Sequence, residues 1–262
     1  MPRAWRLIDS GARDAAYNMA LDEAIARGTA EAGAEPTLRF FAWSVPSVTL
    51  GCFQKADQVE ADYCAARSIP VVRRPTGGRA ILHGLELTYS FSASAAEGPF
   101  SAGLFESYGS LGRAFHRAFL SVGLPAVMHE SRRAEGDHKR SALCFRSTSY
   151  GEITVHGRKV IGSAQRRWPT AMLQQGSVPL TLDRAEMARV FKGAEGETGT
   201  LLALREVIAD LGLENLKQAV ATAFEDVFQV SLRPEAPTAA EEARAEALVI
   251  QKYARPSWTL RR

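Results

Sequence analysis

The sequence predicts an α+β protein in which a mixed β-sheet carries helices on its faces. Before residue 180, short apolar segments of strand length alternate with Gly and Pro breaks, which is typical of strands and turns. Residues 101–122 carry apolar side chains at helical spacing, and helical patterns dominate from residue 181 onward. These patterns divide the chain into a core, residues 1–180, and a helical part, residues 181–262, which completes the same domain or packs on it.

The first third of the chain alternates strands and helices. The predicted strands are residues 5–8, at an edge of the sheet, then 38–43 and 47–51. The predicted helices are residues 15–27 and 59–67. In the first helix the apolar stripe consists of Tyr17, Leu21, Ala24 and Ile25. This stripe places Asn18, Asp22 and Glu23 mostly on the other faces of the helix.

The central part contains the clearest helix and a hairpin. We expect Ser101 to cap the start of the helix over residues 101–122 and Gly123 to end it. Residues 130–140 are charged and lack periodicity, so they predict an exposed, mobile loop. Residues 152–161 predict a β-hairpin in which Lys159 faces Thr154 and, diagonally, Glu152. Lys159 is therefore either a cross-strand partner of Glu152 or a functional cation.

The last third reads as helical. The predicted helices are residues 183–191, 201–211, 214–228 and 238–253. Thr238 and Glu241 form a capping box at the start of the last one.

Composition excludes several classes of protein. Lys and Arg exceed Asp and Glu by only 32 to 29, too small an excess to predict nucleic-acid binding. The three cysteines are widely spaced and lack a CxxC pair, so neither a disulfide framework nor a zinc site is expected. No segment resembles a signal peptide or a membrane span. We therefore expect a cytoplasmic protein without membrane contact.

Residues 72–91 combine two arginines, a Pro-Thr-Gly-Gly-Arg turn and the start of an apolar strand. Gly77 and Gly78 allow close approach of the backbone, so their N–H groups can point at an anion. Arg73, Arg74 and Arg79 flank them with guanidinium groups that suit oxyanions. Two interpretations stay open: a tight turn with surface arginines, or a pocket for an anion. The Lys-Ser/Thr of a Walker loop is missing, so the motif alone does not predict nucleotide binding.

Cys144 is the strongest nucleophile candidate. A free cysteine has a pKa of about 8.5, so a thiolate at neutral pH needs a nearby cation or backbone donors. Lys159 is the obvious cation. Between Leu143 and Phe145, however, Cys144 also has the neighbours of a buried packing residue, and both interpretations stay open. The five histidines show no metal-ligand spacing, so no metal site is predicted.

Two ordered segments resemble the lipoate and octanoate branch of the biotin/lipoate protein ligase superfamily. They are RRPTGGRAILHGLELTYSF, residues 73–91, and CFRSTSYGEITVHGRKVIGSAQRR, residues 144–167. AYNMALDEA and LRFFAWSVPSVTLGCFQ are similar to that family too, so the resemblance extends from Asn18 to Ser177. Cys-Phe ahead of Ser-x-x-Glu and Gly-Arg-Lys-x-x-Gly-Ser-Ala-Gln is similar to its cysteine-dependent octanoyltransferases. Gly84 stands where the family usually has an acidic residue, and Gly151 stands where an aromatic residue is common.

This resemblance implies the superfamily's catalytic-domain fold and a monomeric octanoyltransferase without a cofactor. Cys144 would take the octanoyl group from an octanoylated acyl carrier protein and pass it to a lysine of a lipoyl-domain protein, such as the glycine-cleavage H protein. Lys159 would hold the thiolate and the carbonyl in place. Arg73 and Arg74 would meet the carrier's phosphopantetheine or acidic surface. The implied substrate-binding residues are Arg73, Arg74, Thr76, Gly77, Gly78, Arg79, His83, Ser149, Gly162, Ser163 and Ala164.

Two alternatives remain at this stage. One is an ATP-dependent lipoate ligase in which Lys159 binds an acyl-adenylate and Cys144 has no catalytic role. The other is a non-catalytic protein that binds lipoyl groups without turnover. Dependence on magnesium and ATP would identify the first, and tight octanoate or lipoate binding without transfer would identify the second.

Overall fold

The computed structural model describes residues 3–31, 34–129, 151–193 and 198–262. The strands are β1 (Arg3–Arg13), β2 (Thr37–Trp43), β3 (Ser47–Leu50), β4 (Val71–Arg73), β5 (Ile81–His83), β6 (Glu86–Ser94), β7 (Ala126–Met128), β8 (Ile153–Val155), β9 (Arg158–Lys159), β10 (Gly162–Arg167), β11 (Ala171–Pro179) and β12 (Val230–Pro234). The α-helices are α1 (Ala15–Gly28), α2 (Ala61–Ala66), α3 (Leu104–Ser121), α4 (Arg184–Val190), α5 (Leu213–Phe228), α6 (Ala239–Leu248) and α7 (Pro256–Thr259).

A six-stranded sheet in the order β10-β11-β6-β2-β1-β12 forms the centre of the fold. β1 is parallel to β2 and β12, whereas the other neighbours are antiparallel. The predicted mixed sheet is therefore confirmed. The edge position expected for residues 5–8 is wrong, because β12 pairs along β1 from Arg3 opposite Val230 to Leu7 opposite Pro234.

Two smaller sheets complete the strand arrangement, and each has three strands. Their orders are β4-β3-β5 and β7-β8-β9. The first packs with α2 and α4 around a separate apolar cluster that includes Val48, Leu50 and Phe191. This cluster supports the strand that enters the Pro-Thr-Gly-Gly-Arg turn.

Helices cover both faces of the central sheet. On one face α3 packs against α5, and the apolar core there includes the neighbouring rings of Trp5, Phe91 and Phe228. On the other face α1 packs against α6 over Ile8 and Phe41. The central sheet is thus buried on both sides, and its strands carry apolar side chains toward each helical layer.

Local signals explain where the two long N-terminal helices begin. Asp14 caps α1 by accepting a hydrogen bond from the backbone N–H of Tyr17. α3 begins only after Gly103, so the predicted cap at Ser101 is wrong: the Ser101 hydroxyl donates to the Gly98 carbonyl in the preceding turn. Gly123 adopts a φ of +86° just after α3, as expected of a residue that ends a helix.

The C-terminal part differs from its helical prediction in two places. Residues 201–211 do not form an α-helix, because Leu202 donates its N–H to the carbonyl of Lys159 and only Leu204–Glu206 makes a short 3₁₀ turn. The strand β12 was not predicted. α4, α5 and α6 confirm the other helices, and the capping box of Thr238 and Glu241 is present. Along the described ranges, no helix is both long and apolar enough to span a membrane.

Candidate active site

Five of the predicted site residues line one small cavity between α1 and β10, the α1-face cavity. They are Arg74, His83, Gly162, Ser163 and Ala164. Apolar side chains of Met19, Phe41, Trp43 and Ile81 form much of the remaining wall. The free volume is only about 20 Å³. Polar backbone and side-chain groups thus meet an apolar, tightly filled slot.

The pairing of β10 with β11 sets which side chains enter this cavity. Gly162 lies opposite Ser177 and Ala164 opposite Gln175, so Gly162 and Ala164 face α1 together. Ser163 points to the other face, where its hydroxyl lies 2.8 Å from the hydroxyl of Tyr89. Burial raises the pKa of Tyr89 to about 12, so Tyr89 stays protonated at neutral pH. The small residues of β10 therefore present backbone, rather than long side chains, to the α1-face cavity.

A buried polar network lies directly beneath this cavity. The Asp22 carboxylate accepts hydrogen bonds from Arg39 at 2.6 Å, Ser90 at 2.6 Å and Gln175 at 2.7 Å. The hydroxyl of Thr76 donates to Gln175 at 2.8 Å. These bonds connect the first helix, the sheet and the Pro-Thr-Gly-Gly-Arg turn. The network satisfies the Asp22 carboxylate, which burial alone would destabilise.

Asn18, Asp22 and Gln175 were missed as members of the site. The apolar stripe suggested that Asn18 and Asp22 point away from the core, but both are fully buried. Asn18 donates to the carbonyl of Ala42 at 2.9 Å and accepts from Arg39 at 2.7 Å. The available signal was their i, i+4 spacing, which places an amide and a carboxylate on one helix face opposite the arginine of an otherwise apolar strand.

His83 is held at the cavity by three neighbours. Its Nδ1 lies 2.7 Å from Glu86, its Nε2 lies 2.8 Å from the Thr49 hydroxyl, and its ring stacks on Trp43 at 4.0 Å. Burial alone would raise the pKa of Glu86, but the charge and hydrogen bond of His83, with the hydrogen bond from Thr88, hold that pKa below its usual value. His83 is thus oriented by a buried carboxylate.

The two arginines before the glycines are structural in this fold. Arg73 is fully buried and donates to the carbonyls of Gly51, Gln54 and Thr259. Arg74 is 4% exposed and donates to the carbonyls of Gly77 and Arg79. The expected contact of both arginines with a carrier surface is therefore wrong, because their guanidinium groups are buried against backbone carbonyls.

The glycine turn is packed closely against the strand before it. A Cβ at Gly51 would lie 1.8 Å from the carbonyl oxygen of Gly78, so only glycine fits there. Gly78 has a φ of +79°. Among the described residues, no acceptor is found for the N–H groups of Gly77 and Gly78. That these two donors bind a ligand stays a prediction, because neither glycine lines the α1-face cavity.

Lys159 lies in the predicted hairpin, whose register is confirmed with Thr154 opposite Lys159 and Val155 opposite Arg158. His156 and Gly157 both have positive φ, as a two-residue hairpin turn requires. Lys159 is 6% exposed, and its ammonium pairs with the Glu152 carboxylate. The predicted cross-strand contact between Lys159 and Glu152 is therefore confirmed. Cys144 and Ser149 lie outside the described residues.

Two further cavities adjoin this region. The α3-face cavity lies on the opposite side of β10, has a volume of about 270 Å³, and is lined by Glu152, Ser163 and apolar residues such as Phe115 and Ile161. A cavity of about 440 Å³ lies beyond β5 and includes His83 and Gly84. Of the three, the α1-face cavity is lined by the largest number of predicted site residues, five of the eleven that the structure describes. Within the described ranges no cluster of His, Cys, Asp or Glu is arranged to hold a metal ion.

The relatives that sequence comparison identifies agree with one another. Residues 14–225 match the family model of the lipoyl protein ligase A/B catalytic domain. Octanoyltransferase LipM of Symbiobacterium thermophilum is 35% identical over 100% of both chains. Octanoyltransferase LipM of Halalkalibacterium halodurans is 34% identical over 98% of this chain and 99% of its own.

Solved structures share the fold at lower identity. A lipoate-protein ligase A bound with ATP has a TM-score of 0.82 and 23% identity, with 99% of each chain covered. A bi-partite lipoate protein ligase from Thermoplasma acidophilum has a TM-score of 0.81 and 22% identity, with 98% of this chain and 96% of that chain covered. The predicted catalytic-domain fold is thereby confirmed.

Proposed function

Since this chain belongs to the lipoyl protein ligase A/B catalytic domain family, we propose that it transfers octanoyl groups to a lipoyl-domain protein through a thioester on Cys144. Octanoyltransferase activity in lipoate biosynthesis follows from the full-length similarity to octanoyltransferases. The donor, the acceptor and the covalent route are the proposed part. The donor is an octanoylated acyl carrier protein, and the acceptor is a lysine of a protein such as the glycine-cleavage H protein.

The reaction comprises two transfers at one sulfur atom. In the first, the Cys144 thiolate attacks the carbonyl carbon of the carrier's thioester, and the carrier's thiolate leaves and takes up a proton. In the second, the neutral amine of the acceptor lysine attacks the new thioester. The Cys144 thiolate leaves, the nitrogen loses a proton, and an amide is formed. No ATP is consumed, because each step exchanges one acyl bond for another.

One observation carries this proposal: Arg74, His83, Gly162 and Ala164 converge on the α1-face cavity immediately after the Lys159 hairpin. Gly162 and Ala164 leave room beside the backbone for an acyl chain. Met19 lines this cavity, and its unbranched side chain can change rotamer to admit a chain. The N–H groups of Gly77 and Gly78 are candidate donors to the oxyanion.

Lys159 supplies fixed positive charge beside the reacting groups in this proposal. Its ammonium is held by Glu152, which stands three residues after Ser149 in the Ser-x-x-Glu motif. A cation close to a thiol favours the thiolate form. Glu152 therefore acts as a positioning residue for Lys159.

We also propose that the enzyme is a cytoplasmic monomer and that residues 181–262 complete its single domain. Cys52 and Cys64 are free thiols, which suits a reducing compartment. The strand β12 pairs with β1, and α5 packs against α3, so both elements share the core of the first 180 residues.

Intact-protein mass measurement tests the covalent route. Wild-type protein and Cys144→Ala are mixed with octanoylated acyl carrier protein in the absence of ATP. We expect an octanoyl mass increment on the wild type only, and loss of that increment when an acceptor lipoyl domain is added.

A different pattern would reject the proposal. If no increment forms, and octanoylation or lipoylation of the acceptor appears only with free acid and Mg-ATP, the chain is an ATP-dependent ligase. Tight binding of octanoate without any transfer would identify a non-catalytic binding protein.

A further inference from the structure

A strongly basic cleft lies beside the glycine turn and outside the α1-face cavity. Its cationic side chains are Arg27, Arg166, Lys252, Arg261 and Arg262, and its volume is about 580 Å³. Pro75, the residue before Thr76, forms part of its wall. We call these five cations with their surrounding space the basic cleft.

The basic cleft concentrates the positive charge of the molecule. Five cations face one carboxylate, Glu23, so four positive charges remain. The whole chain has a formal net charge of only +3. The rest of the protein therefore carries about one negative charge in excess, so the net positive charge of the chain can be assigned to this cleft.

Aromatic rings, rather than carboxylates, support three of these cations. Arg166 lies over Trp168 at 5.6 Å, Arg261 over Trp258 at 3.8 Å, and Arg262 over Phe53 at 5.5 Å. Within the described residues, none of these three arginines has an ion pair with a carboxylate. Arg261 also donates from one nitrogen to the carbonyl oxygen of Cys52 at 2.9 Å. A cation–π contact leaves the other N–H groups at a guanidinium edge able to bind an external anion.

The strand β10 connects the basic cleft to the α1-face cavity. Because side chains alternate along a strand, Arg166 lies on the same face as Gly162 and Ala164. Four residues of strand separate Gly162 from Arg166 by about 13 Å. An extended acyl-bearing arm anchored at Arg166 would therefore follow β10 toward the candidate site.

We propose that the basic cleft is the docking surface for the acyl carrier protein, with the arginines binding the phosphate of its prosthetic arm and its acidic surface. This inference rests on the proposed function. Guanidinium groups match phosphate oxygens in charge and geometry. The acceptor is the less suitable occupant, since its reacting group is a lysine, which four excess positive charges would repel.

Charge reversal tests this docking surface. The double variant Arg166→Glu/Arg262→Glu changes two exposed or half-buried cations of the basic cleft. The control, Arg113→Glu/Arg189→Glu, makes the same charge change at two exposed residues elsewhere. The rate of acyl-enzyme formation is measured by intact mass with two donors, octanoyl carrier protein and the uncharged octanoyl thioester of N-acetylcysteamine.

For the cleft variant we expect kcat/KM with the carrier to fall about tenfold or more, and the rate with the uncharged thioester to stay within about twofold of wild type. The control should keep both rates. Raising the salt concentration should slow wild-type acylation by the carrier and leave the cleft variant almost unaffected.

Three results would overturn the inference. They are an unchanged carrier rate in the cleft variant, an equal loss with both donors, or normal acylation followed by slower transfer to the lipoyl domain. The last result would assign the basic cleft to the acceptor. Failure of the proposed function looks different, since wild-type protein would then form no acyl-enzyme with either donor.

Discussion

Gly51 is the residue on which the shape of the glycine turn depends most directly. The carbonyl oxygen of Gly78 occupies the space where any side chain at Gly51 would begin. The opposing atom belongs to the backbone, so it cannot rotate away as a side chain would. The turn and the end of β3 must therefore separate if residue 51 gains a Cβ.

We expect Gly51→Ala to lower the free energy of unfolding by about 1–3 kcal/mol, the usual cost of overpacking. The measurement is urea unfolding followed by fluorescence. Gly84→Ala is the matched control, because a Cβ there meets no atom within 4 Å, and it should be nearly neutral. Equal stability of the two variants would show that the turn adapts without strain.

Two small residues that the sequence predicted for the site line the α1-face cavity, whereas the buried charges beneath it were missed. Gly162 and Ala164 were identified because small side chains beside a predicted strand leave space. Asp22 and Arg39 were not, because hydrophobic periodicity treats every charged residue as solvated. Each becomes compatible with burial through partners on other elements, chiefly through the other at 2.6 Å.

At the scale of elements, local turn chemistry predicted more than periodicity did. The β8–β9 hairpin was obtained with its register because His156-Gly157 dictates a two-residue turn. Residues 201–211 have a helical apolar pattern, yet Leu201 and Leu202 bond to the hairpin instead. A tertiary backbone contact thus outweighs the modest propensity of a short helix.

The two faces of β10 give a test of where the acyl chain binds. Ala164→Leu fills the α1-face cavity, and we expect it to slow acyl-enzyme formation from octanoyl carrier protein about a hundredfold. Leu104→Trp is the comparison, because Leu104 is 45% exposed and lines the α3-face cavity. We expect this variant to retain the wild-type rate.

The reverse outcome would place the binding site of the acyl chain in the other cavity. If Leu104→Trp blocks acylation and Ala164→Leu does not, the acyl chain enters the α3-face cavity, whose volume is about 270 Å³. Thermal unfolding of both variants, with similar midpoints, ensures that the rates compare folded proteins.

At the scale of the whole molecule, Glu23 links the segment between α6 and α7 to the first helix. Its buried carboxylate accepts from Lys252 at 2.5 Å, from Arg27 at 2.9 Å and from the Tyr253 hydroxyl. Burial alone would raise the pKa of Glu23, but the charge of Lys252 and these hydrogen bonds outweigh it and hold the pKa below 4.5. The folded protein therefore binds this proton less readily than the unfolded chain does.

We expect Glu23→Gln to lower the free energy of unfolding by about 2 kcal/mol at pH 7. The contribution of Glu23 is present above pH 4.5 and is lost as the pH falls through the lower folded-state value, so wild type and variant should converge in acid. Denaturant unfolding from pH 7 to pH 3 measures this difference. Glu214→Gln, at a carboxylate that is 78% exposed, should change stability by less than about 1 kcal/mol at every pH. A constant difference between Glu23→Gln and wild type would contradict the assignment.

The pairing of β12 with β1 has a consequence for how this protein is made in the cell. β1 leaves the ribosome more than two hundred residues before its outer partner, which begins at Val230. Until those residues emerge, one side of β1 offers unpaired N–H and carbonyl groups to any other strand. This open side of β1 is therefore exposed to aggregation throughout the synthesis of the residues that lie between the two strands.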